Sequence, residues 1–226
     1  MSLLLVKKLR ARLHPWRVGL RQARARIRRR LGGGSGDWER ALHGDELSFW
    51  ENALRDSGRN WYPGEFEERT NAQLEVQSFI RELVPAEPGA VVRLLDVGAG
   101  PLTRLGKKWE DRFVEILAVD PLAKEYDAIL NKLEIVPPVR TTFALAEDLE
   151  SAFPPDSFDL AYASNALDHC RDPLQAIRQM VRVVKPGSHV YLWHFANVGV
   201  AECYTGLHQW NFEIKQGDFV ISDGRK

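Results

Sequence analysis

Two glycines at the end of an apolar segment constrain this chain most. The segment 91–97 has the composition of a buried strand, and Gly98 and Gly100 follow it with G-x-G spacing. A glycine turn lets the backbone approach a ligand that a Cβ would hold away. A second apolar segment, 114–119, ends in Asp120, and an acid there can accept hydrogen bonds from both hydroxyls of a ribose. The pattern predicts a site for a nucleoside-bearing cofactor at the edge of a parallel sheet.

The residues after Gly100 argue against a nicotinamide dinucleotide as that cofactor. Dehydrogenases built on such a sheet have a third glycine three residues later, and this chain has Thr103 there. Pro101 also removes a backbone N–H that a pyrophosphate would use. A nucleoside cofactor without phosphates does not need that donor.

Strands and helices alternate through the rest of the core. Strands are predicted near 91–97, 114–119, 140–145, 158–164 and 189–195, and helices near 102–110, 122–133, 147–152 and 173–184. This alternation favours an α/β fold with a doubly wound, mostly parallel sheet. Ahead of it, we expect a helix capped by Asp45 and a long amphipathic helix from Glu65 to Val84.

Five short stretches together resemble the class I S-adenosylmethionine-dependent methyltransferases, in particular their type 11-like domain. They are LLDVGAG, AVDP, AEDL, SFDLAYASNALDH and VVKPGSHVYL, in that family's order and at its spacing, over roughly residues 66–200. The resemblance implies a Rossmann-like methyltransferase fold with S-adenosyl-L-methionine as cofactor. It implies a domain over 37–226, made of a helical lead-in (37–88), a cofactor-binding core (89–200) and a C-terminal hairpin and acceptor region (201–226).

The resemblance leaves the end of the sheet open. A full methyltransferase sheet has seven strands, and five core strands are predicted here. Segments 212–215 and 218–221 flank Gln216-Gly217 and have the pattern of a hairpin. Either both hairpin strands join the sheet and complete it, or the hairpin is a local extension and the domain is truncated.

Most of the cofactor site carries over residue by residue. Asp96, Gly98 and Gly100 match the family's first motif, so their loop would face the methionine end of the cofactor. Asp120 would accept from the ribose hydroxyls. Asn165, at the tip of the fourth strand, would lie where the methionine moiety passes.

The adenine end departs from the family pattern. Pro121 and Leu122 would flank the base, but Leu145 stands where relatives often have an acid that accepts from the adenine amino group. Recognition would then fall to backbone groups of Ala146 and Glu147, or to the Glu147 side chain. Glu147 is equally explained as an acid favoured by the dipole at a helix start, and both interpretations stay open.

Acceptor chemistry is predicted for the segment after the fourth strand. A cofactor with a reactive methyl group needs alignment and, at times, removal of a proton from the acceptor. Relatives commonly have a histidine pair where this chain has Asp168 and His169, and a neutral imidazole can take a hydroxyl proton. His169 is therefore the first candidate base, with a structural histidine as the alternative, and His194 is the second. Cys170 and Cys203 lack metal-ligand spacing, so no metal site is predicted.

The acceptor itself is constrained only by class. The resemblance implies methyl transfer, chiefly to oxygen, on a small molecule or a glycan or lipid-linked acceptor. The chain lacks the N-P-P-[YFW] motif with which nucleic-acid and protein amino-methylating relatives hold a planar amine. The alternative function is a membrane- or partner-binding protein whose methyltransferase-like domain is not catalytic.

Charge divides the chain in two. Residues 1–31 contain 11 Lys or Arg and no acid, whereas the remainder has 20 basic and 31 acidic residues. Apolar residues recur with helical spacing after Pro15, which predicts a basic amphipathic helix and a Gly-rich linker over residues 1–36. An anionic membrane surface is the first partner expected for this arm and a partner helix the second. RNA ranks third, because the acidic body disfavours nucleic acid.

No segment has the ~18 apolar residues of a membrane span, and no secretory signal is recognised. Two cysteines fit a reducing compartment. We therefore expect a cytoplasmic protein, with peripheral attachment to the inner face of the membrane as an option. The sequence predicts no oligomeric state.

Overall fold

A five-stranded parallel sheet forms the centre of the computed structural model, which describes residues 35–59 and 61–223. The basic arm of residues 1–31, with the helix predicted after Pro15, lies outside the described residues. The strands are β1 Val91–Val97, β2 Phe113–Val119, β3 Thr141–Thr142, β4 Phe158–Ser164 and β5 Val184–Trp193. Their order in the sheet is β3-β2-β1-β4-β5, and every pairing is parallel. The order reverses between β1 and β4, where α/β sheets bind ligands.

Helices flank the sheet and precede it. They are α1 Ser35–Ala41, α2 Leu47–Gly58, α3 Glu65–Thr70, α4 Ser78–Leu83, α5 Ala123–Lys132, α6 Pro173–Val183 and α7 Val198–Ala201. A π-helical segment, Leu42–Glu46, joins α1 to α2, and 3₁₀ turns cover Ala146–Ser151 and Leu167–His169. None of the helices in the described ranges is both long and apolar enough to cross a membrane.

Each face of the sheet has its own core, because neighbouring side chains of a strand point to opposite sides. On one face, Leu94 and Leu160 pack with Ile80 of α4. On the other, Leu95 packs with Met180 of α6. All of these side chains are fully buried, and burial of each stabilises the fold by about 1.5–3 kcal/mol. The predicted doubly wound α/β fold is confirmed.

The helix predicted over 102–110 is wrong. The segment between Gly100 and β2 consists of turns. Gly106 lies so close to the backbone of Glu75 that a Cβ there would overlap it. The N–H of Lys107 donates to the carbonyl of Leu74 over 2.7 Å rather than to a helical neighbour. Backbone groups of this segment are therefore satisfied by another part of the chain, which removes the need for a helix.

The N-terminal helices differ from the sequence prediction in two ways. The helix predicted from Glu65 to Val84 is split into α3 and α4 by an extended stretch. Asn71 starts that stretch, since its side-chain oxygen accepts from the N–H of Gln73 over 2.8 Å and offers the backbone an alternative to the helix. The cap predicted at Asp45 is also wrong, because Asp45 lies inside the π-helical segment that continues α1.

The C-terminal hairpin forms a two-stranded sheet of its own. Strands β6 Asn211–Lys215 and β7 Asp218–Ser222 pair antiparallel, and neither joins the main sheet. Phe212 is buried in the core cluster that contains α6. The hairpin is therefore a local extension and adds no strand to the main sheet. The third main strand is also shorter than the predicted 140–145.

Candidate active site

A cleft opens at the carboxyl ends of β1, β2 and β4. It encloses about 880 Å³, the open space at its mouth included. Eight of the nine predicted cofactor residues line it: Asp96, Gly98, Gly100, Asp120, Pro121, Ala146, Glu147 and Asn165. The ninth, Leu122, is fully buried and takes part through its backbone N–H, which donates to Oδ1 of Asp120 over 2.9 Å.

The two glycines of the first turn are required by both conformation and packing. Gly98 and Gly100 have φ angles of +70° and +63°, which L-residues with a side chain rarely adopt. A Cβ on Gly98 would overlap the Cβ of Ala166. A Cβ on Gly100 would lie 2.5 Å from Cζ2 of Trp50. The turn therefore brings bare backbone to the cleft, as the G-x-G spacing predicts.

Asp120 stands opposite this turn. Its Oδ2 accepts from the N–H of Gly100 over 3.2 Å, so two backbone donors, from Gly100 and Leu122, orient the carboxyl group. Burial raises the pKa of Asp120 to about 7, although these two hydrogen bonds oppose the shift. The carboxyl group of Asp120 is thus a buried, oriented acceptor. Because its pKa is close to neutral, a bound ligand can change its charge.

Asp96, at the end of β1, is also a buried acid. Its Oδ2 accepts from the hydroxyl of Thr103 over 2.5 Å. Burial raises its pKa to about 6, and the hydrogen bond from Thr103 and the positive charges of Arg69 and Arg104 limit the shift. Both arginines line the cleft, and both pair with Glu65, over 2.9 and 2.6 Å. This places two guanidinium groups at the Asp96 end of the cleft.

Sequence reasoning missed these arginines. Arg69 lies on α3, well before the first strand, and no spacing in the sequence connects it to the glycine turn. Its guanidinium lies 4.6 Å from the ring centre of Trp61 and donates to the carbonyl of Leu102 over 2.6 Å. A buried arginine with such partners is one signal of an anionic ligand, but it is visible only in the folded chain.

The opposite end of the cleft contains Leu145 and Glu147. Leu145 lines the cleft there, as a partly exposed apolar side chain. The carboxylate of Glu147 accepts from the backbone N–H groups of Arg171 and Asp172, over 2.8 and 3.3 Å. Glu147 thus acts at the start of a helix, although that helix is α6 rather than its own turn. Its use in adenine recognition stays a prediction.

Aromatic side chains from the lead-in helices cover the cleft. Trp38 and Trp50 line it together with Tyr126 of α5. The indole N–H of Trp38 donates to the carbonyl of His169 over 2.7 Å, and that of Trp50 donates to Oε1 of Glu46 over 2.8 Å. The sequence indicated an apolar helix here, but not that its tryptophans reach the site.

The predicted catalytic residues meet in one group with a histidine from the C-terminal region. Of the three predicted residues, His169 lines the cleft, and Asp168 and His194 lie behind it, with only 1% and 4% of their surfaces exposed. Nδ1 of His208 lies 2.7 Å from Oδ2 of Asp168 and 3.2 Å from Nε2 of His169. We call Asp168, His169, His194 and His208 the Asp-His cluster.

Charge is unevenly distributed in the Asp-His cluster. Burial alone would raise the pKa of Asp168, but the neighbouring histidines outweigh it and hold the pKa at about 2. Burial lowers the pKa of His194 to about 4. The pKa of His208 is raised, since the hydrogen bond and charge of Asp168 outweigh the effect of burial. At neutral pH, Asp168 is ionised and His194 is neutral.

Three buried polar atoms at the site have no hydrogen-bond partner among the described residues. They are Oδ1 of Asn165, Oδ1 of Asp168 and Nε2 of His194. Buried polar groups in folded proteins are nearly always hydrogen-bonded. Of the three residues, Asn165 lines the cleft, so its oxygen is available to a polar ligand there.

Comparison with known proteins agrees with this arrangement. Residues 95–192 match a family described as a methyltransferase domain. The chain is similar to malonyl-[acyl-carrier protein] O-methyltransferase of Pseudescherichia vulneris, with 30% identity over 147 residues, which is 62% of this chain and 52% of the relative. It is also similar to 27-O-demethylrifamycin SV methyltransferase of Amycolatopsis mediterranei strain S699, with 29% identity over 46% of this chain and 38% of the relative.

The solved structure of the trans-methyltransferase CalH in complex with SAH is similar as well. The identity is 17%, the TM-score is 0.39, and the match covers 50% of this chain and 34% of CalH. The chain thus spans about half or less of the length of each of these relatives.

Proposed function

We propose that this chain, whose residues 95–192 match the methyltransferase-domain family, binds S-adenosyl-L-methionine in the cleft and methylates an acceptor hydroxyl. The observation that carries the proposal is the hydrogen bond from the N–H of Gly100 to Asp120, which joins the carboxyl ends of β1 and β2. It joins a turn that admits a ligand to an acid that can hold a ribose.

The residues present fit this cofactor. Asp120 would accept from the two ribose hydroxyls, and the turn at Gly98 would lie against the methionine end. Oδ1 of Asn165, buried and without a partner in the described ranges, suits the cofactor's ammonium group. The guanidinium groups of Arg69 and Arg104 suit its carboxylate, because arginine forks match carboxylate geometry.

S-adenosylmethionine would supply a methyl group made electrophilic by the attached sulfonium. The acceptor oxygen would form a bond to this methyl carbon while the carbon–sulfur bond breaks, and the electron pair of that bond would stay on sulfur. The hydroxyl proton leaves the acceptor, so some group must receive this proton or lower the pKa of the hydroxyl. We assign activation of the hydroxyl to the Asp-His cluster, because His169 borders the cleft. Trp38 and Trp50 would exclude water.

Support for an oxygen acceptor comes from two relatives. One is named as an O-methyltransferase, and the other is named for a 27-O-demethylated substrate. We propose a small molecule or a glycan, free or lipid-linked, as the acceptor class.

Isothermal titration of the full-length chain with S-adenosylmethionine and with S-adenosylhomocysteine tests the first half of the proposal. Both should bind at one site per chain, whereas NADH should not. A folded chain that binds neither sulfur compound would contradict the proposal. Release of S-adenosylhomocysteine in the presence of hydroxylated small molecules and glycans, compared with their O-methylated or amino analogues, tests the second half.

A further inference from the structure

Three ligand-type atoms of the Asp-His cluster converge on one point. Nδ1 of His208, Oδ2 of Asp168 and Nε2 of His169 lie 2.7, 3.2 and 3.7 Å apart pairwise. A point about 1.9 Å from all three atoms lies within their triangle, and an ion slightly out of that plane would have ligand distances of about 2.0–2.2 Å. These are the bond lengths of zinc to imidazole nitrogen and carboxylate oxygen. The three side chains could bind one ion with little movement.

Hydrogen bonds alone do not account for this arrangement of three atoms. Nδ1 of His208 carries at most one proton, yet it faces both the carboxylate of Asp168 and a ring nitrogen of His169. A cation would instead engage a lone pair on each of the three atoms. Oδ1 of Asp168 also has no hydrogen-bond partner in the described part of the chain, although it is buried. A buried carboxylate with so few donors is well suited to a cation.

The surroundings resemble the support that metal ligands usually have. Ligating histidines tend to donate their other ring N–H to a carboxylate or carbonyl. Nδ1 of His169 lies 3.6 Å from Oε2 of Glu46, whose other oxygen is held by Trp50. Nδ1 of His194 lies 3.9 Å from the second oxygen of Asp168. Trp38 holds the backbone carbonyl of His169. Polar groups therefore lie behind His169 and Asp168, at ion-pair rather than hydrogen-bond distance.

From this geometry we propose that Asp168, His169 and His208 form a binding site for one divalent transition metal ion, with Zn²⁺ as the best fit. Two imidazoles and one carboxylate favour zinc or ferrous iron over Mg²⁺ and Ca²⁺, which prefer all-oxygen sites. Three protein ligands also leave coordination positions open, as in catalytic zinc sites. His169 and His208 keep 21% and 32% of their side-chain surfaces exposed, so the open positions are accessible.

The role of the ion rests on the proposed function, whereas its binding does not. A cation at the wall of the cleft would coordinate an acceptor hydroxyl and lower its pKa, so the proton could pass to solvent as the oxygen attacks the methyl group. His169 would then hold the ion instead of removing the proton itself. The site was not predicted from the sequence because His208 follows Asp168 by 40 residues, far beyond the spacing of local metal motifs.

The test uses the full-length chain, stripped with a chelator and then dialysed against Zn²⁺, with bound metal measured by mass spectrometry. We expect one ion per chain and no comparable binding of Mg²⁺. His208→Gln, at a half-buried position, and Asp168→Asn should each weaken Zn²⁺ binding at least 100-fold. His43→Gln, at an exposed histidine outside the cluster, is the matched control and should bind normally. Circular dichroism verifies that each variant is folded.

Substitution with Co²⁺ identifies the ligands. Visible bands without a thiolate charge-transfer band are expected from nitrogen and oxygen ligands, and a thiolate band would overturn the assignment in favour of Cys170 or Cys203. Titration with S-adenosylhomocysteine separates this inference from the proposed function. A chain that binds this compound but no Zn²⁺, or whose Zn²⁺ survives His208→Gln in a folded variant, overturns the metal site alone. A chain that binds Zn²⁺ but not the cofactor product overturns the proposed function alone.

Discussion

The backbone N–H of Gly100 donates a hydrogen bond to Oδ2 of Asp120 over 3.2 Å. This bond links the turn after β1 to the acid after β2, which are 20 residues apart in sequence and adjacent in the sheet. Because the N–H of Leu122 holds the other oxygen, the carboxyl group is fixed before any ligand arrives. A fixed acceptor loses little freedom on binding, which favours affinity.

The first prediction concerns this carboxyl group. Asp120→Asn keeps its shape but removes its negative charge, and hydrogen bonds to charged groups contribute about 1.5–3 kcal/mol each. We expect the dissociation constant for S-adenosylhomocysteine to rise at least tenfold, measured by isothermal titration. Asp127 lies on α5 and forms an exposed ion pair with Arg140, so Asp127→Asn is a control that should leave the affinity unchanged. Equal affinities of the Asp120 variant and the parent would contradict the assigned role.

The second prediction follows from the pKa of Asp120, which burial raises to about 7. Ribose hydroxyls donate to the ionised carboxylate, so the cofactor should lower this pKa when it binds. Below pH 7 the carboxyl must first lose its proton, and affinity for S-adenosylhomocysteine should weaken as the pH falls, approaching tenfold per unit. Proton release at pH 6 should appear as a dependence of the binding enthalpy on the buffer.

Asp120→Asn provides the control for that pH dependence. The variant should release fewer protons at pH 6, with Asp96, whose pKa is about 6, accounting for the remainder. Proton uptake rather than release by the parent would show that Asp120 is protonated in the complex. In that case it would donate to the ribose instead of accepting.

The central strands could be predicted from sequence because local pattern and tertiary environment agree there. β1 and β4 were predicted with their observed ends, since apolar runs that end in Gly or polar residues are typical of strands buried on both faces. The segments that failed are governed by contacts distant in sequence. Gly106 packs against the backbone of Glu75, and Glu75 belongs to the extended stretch after Asn71. No periodicity within either segment indicates this.

The residues of the site also fall into those that the sequence predicts and those that only the fold brings together. Asp96, Asp120 and Asn165 were predictable because each lies at the carboxyl end of a strand or directly after it, and strand order alone brings the strand ends together. Arg69 reaches the cleft, and His208 reaches the Asp-His cluster, from outside the core, through the fold of the lead-in helices and of the segment before the hairpin. Their positions depend on packing that is not encoded near them in the sequence.

The third prediction concerns the contact between Gly100 and Trp50. Gly100→Ala introduces a Cβ 2.5 Å from the indole at a φ of +63°, so it should destabilise the fold by about 2–4 kcal/mol, from conformational strain and overpacking together. Urea unfolding measures this cost. Gly217→Ala, at a φ of +92° with open space around it, should cost only the conformational strain of about 1–2 kcal/mol.

A double mutant tests whether the indole causes the additional cost. Trp50→Phe removes the ring atoms that the new Cβ would meet, so Gly100→Ala should be less destabilising in that background by at least ~0.5 kcal/mol. Strict additivity of the two substitutions would show that Trp50 moves aside without cost. The covering of the cleft by α2 would then be looser than the structure indicates.

The last prediction concerns residues 1–31, which lie outside the described residues. Eleven basic residues without an acid, on a predicted helix with an apolar stripe, should bind an anionic bilayer. Each basic residue near such a surface contributes up to ~1 kcal/mol, and this attraction weakens as salt screens it. Flotation with vesicles of anionic lipid should carry the full-length chain at low salt, and vesicles of neutral lipid should not. A variant without residues 1–31 should remain unbound yet still bind S-adenosylhomocysteine. If the intact chain ignores anionic vesicles at low salt, the basic arm is better explained as a helix that binds a protein partner.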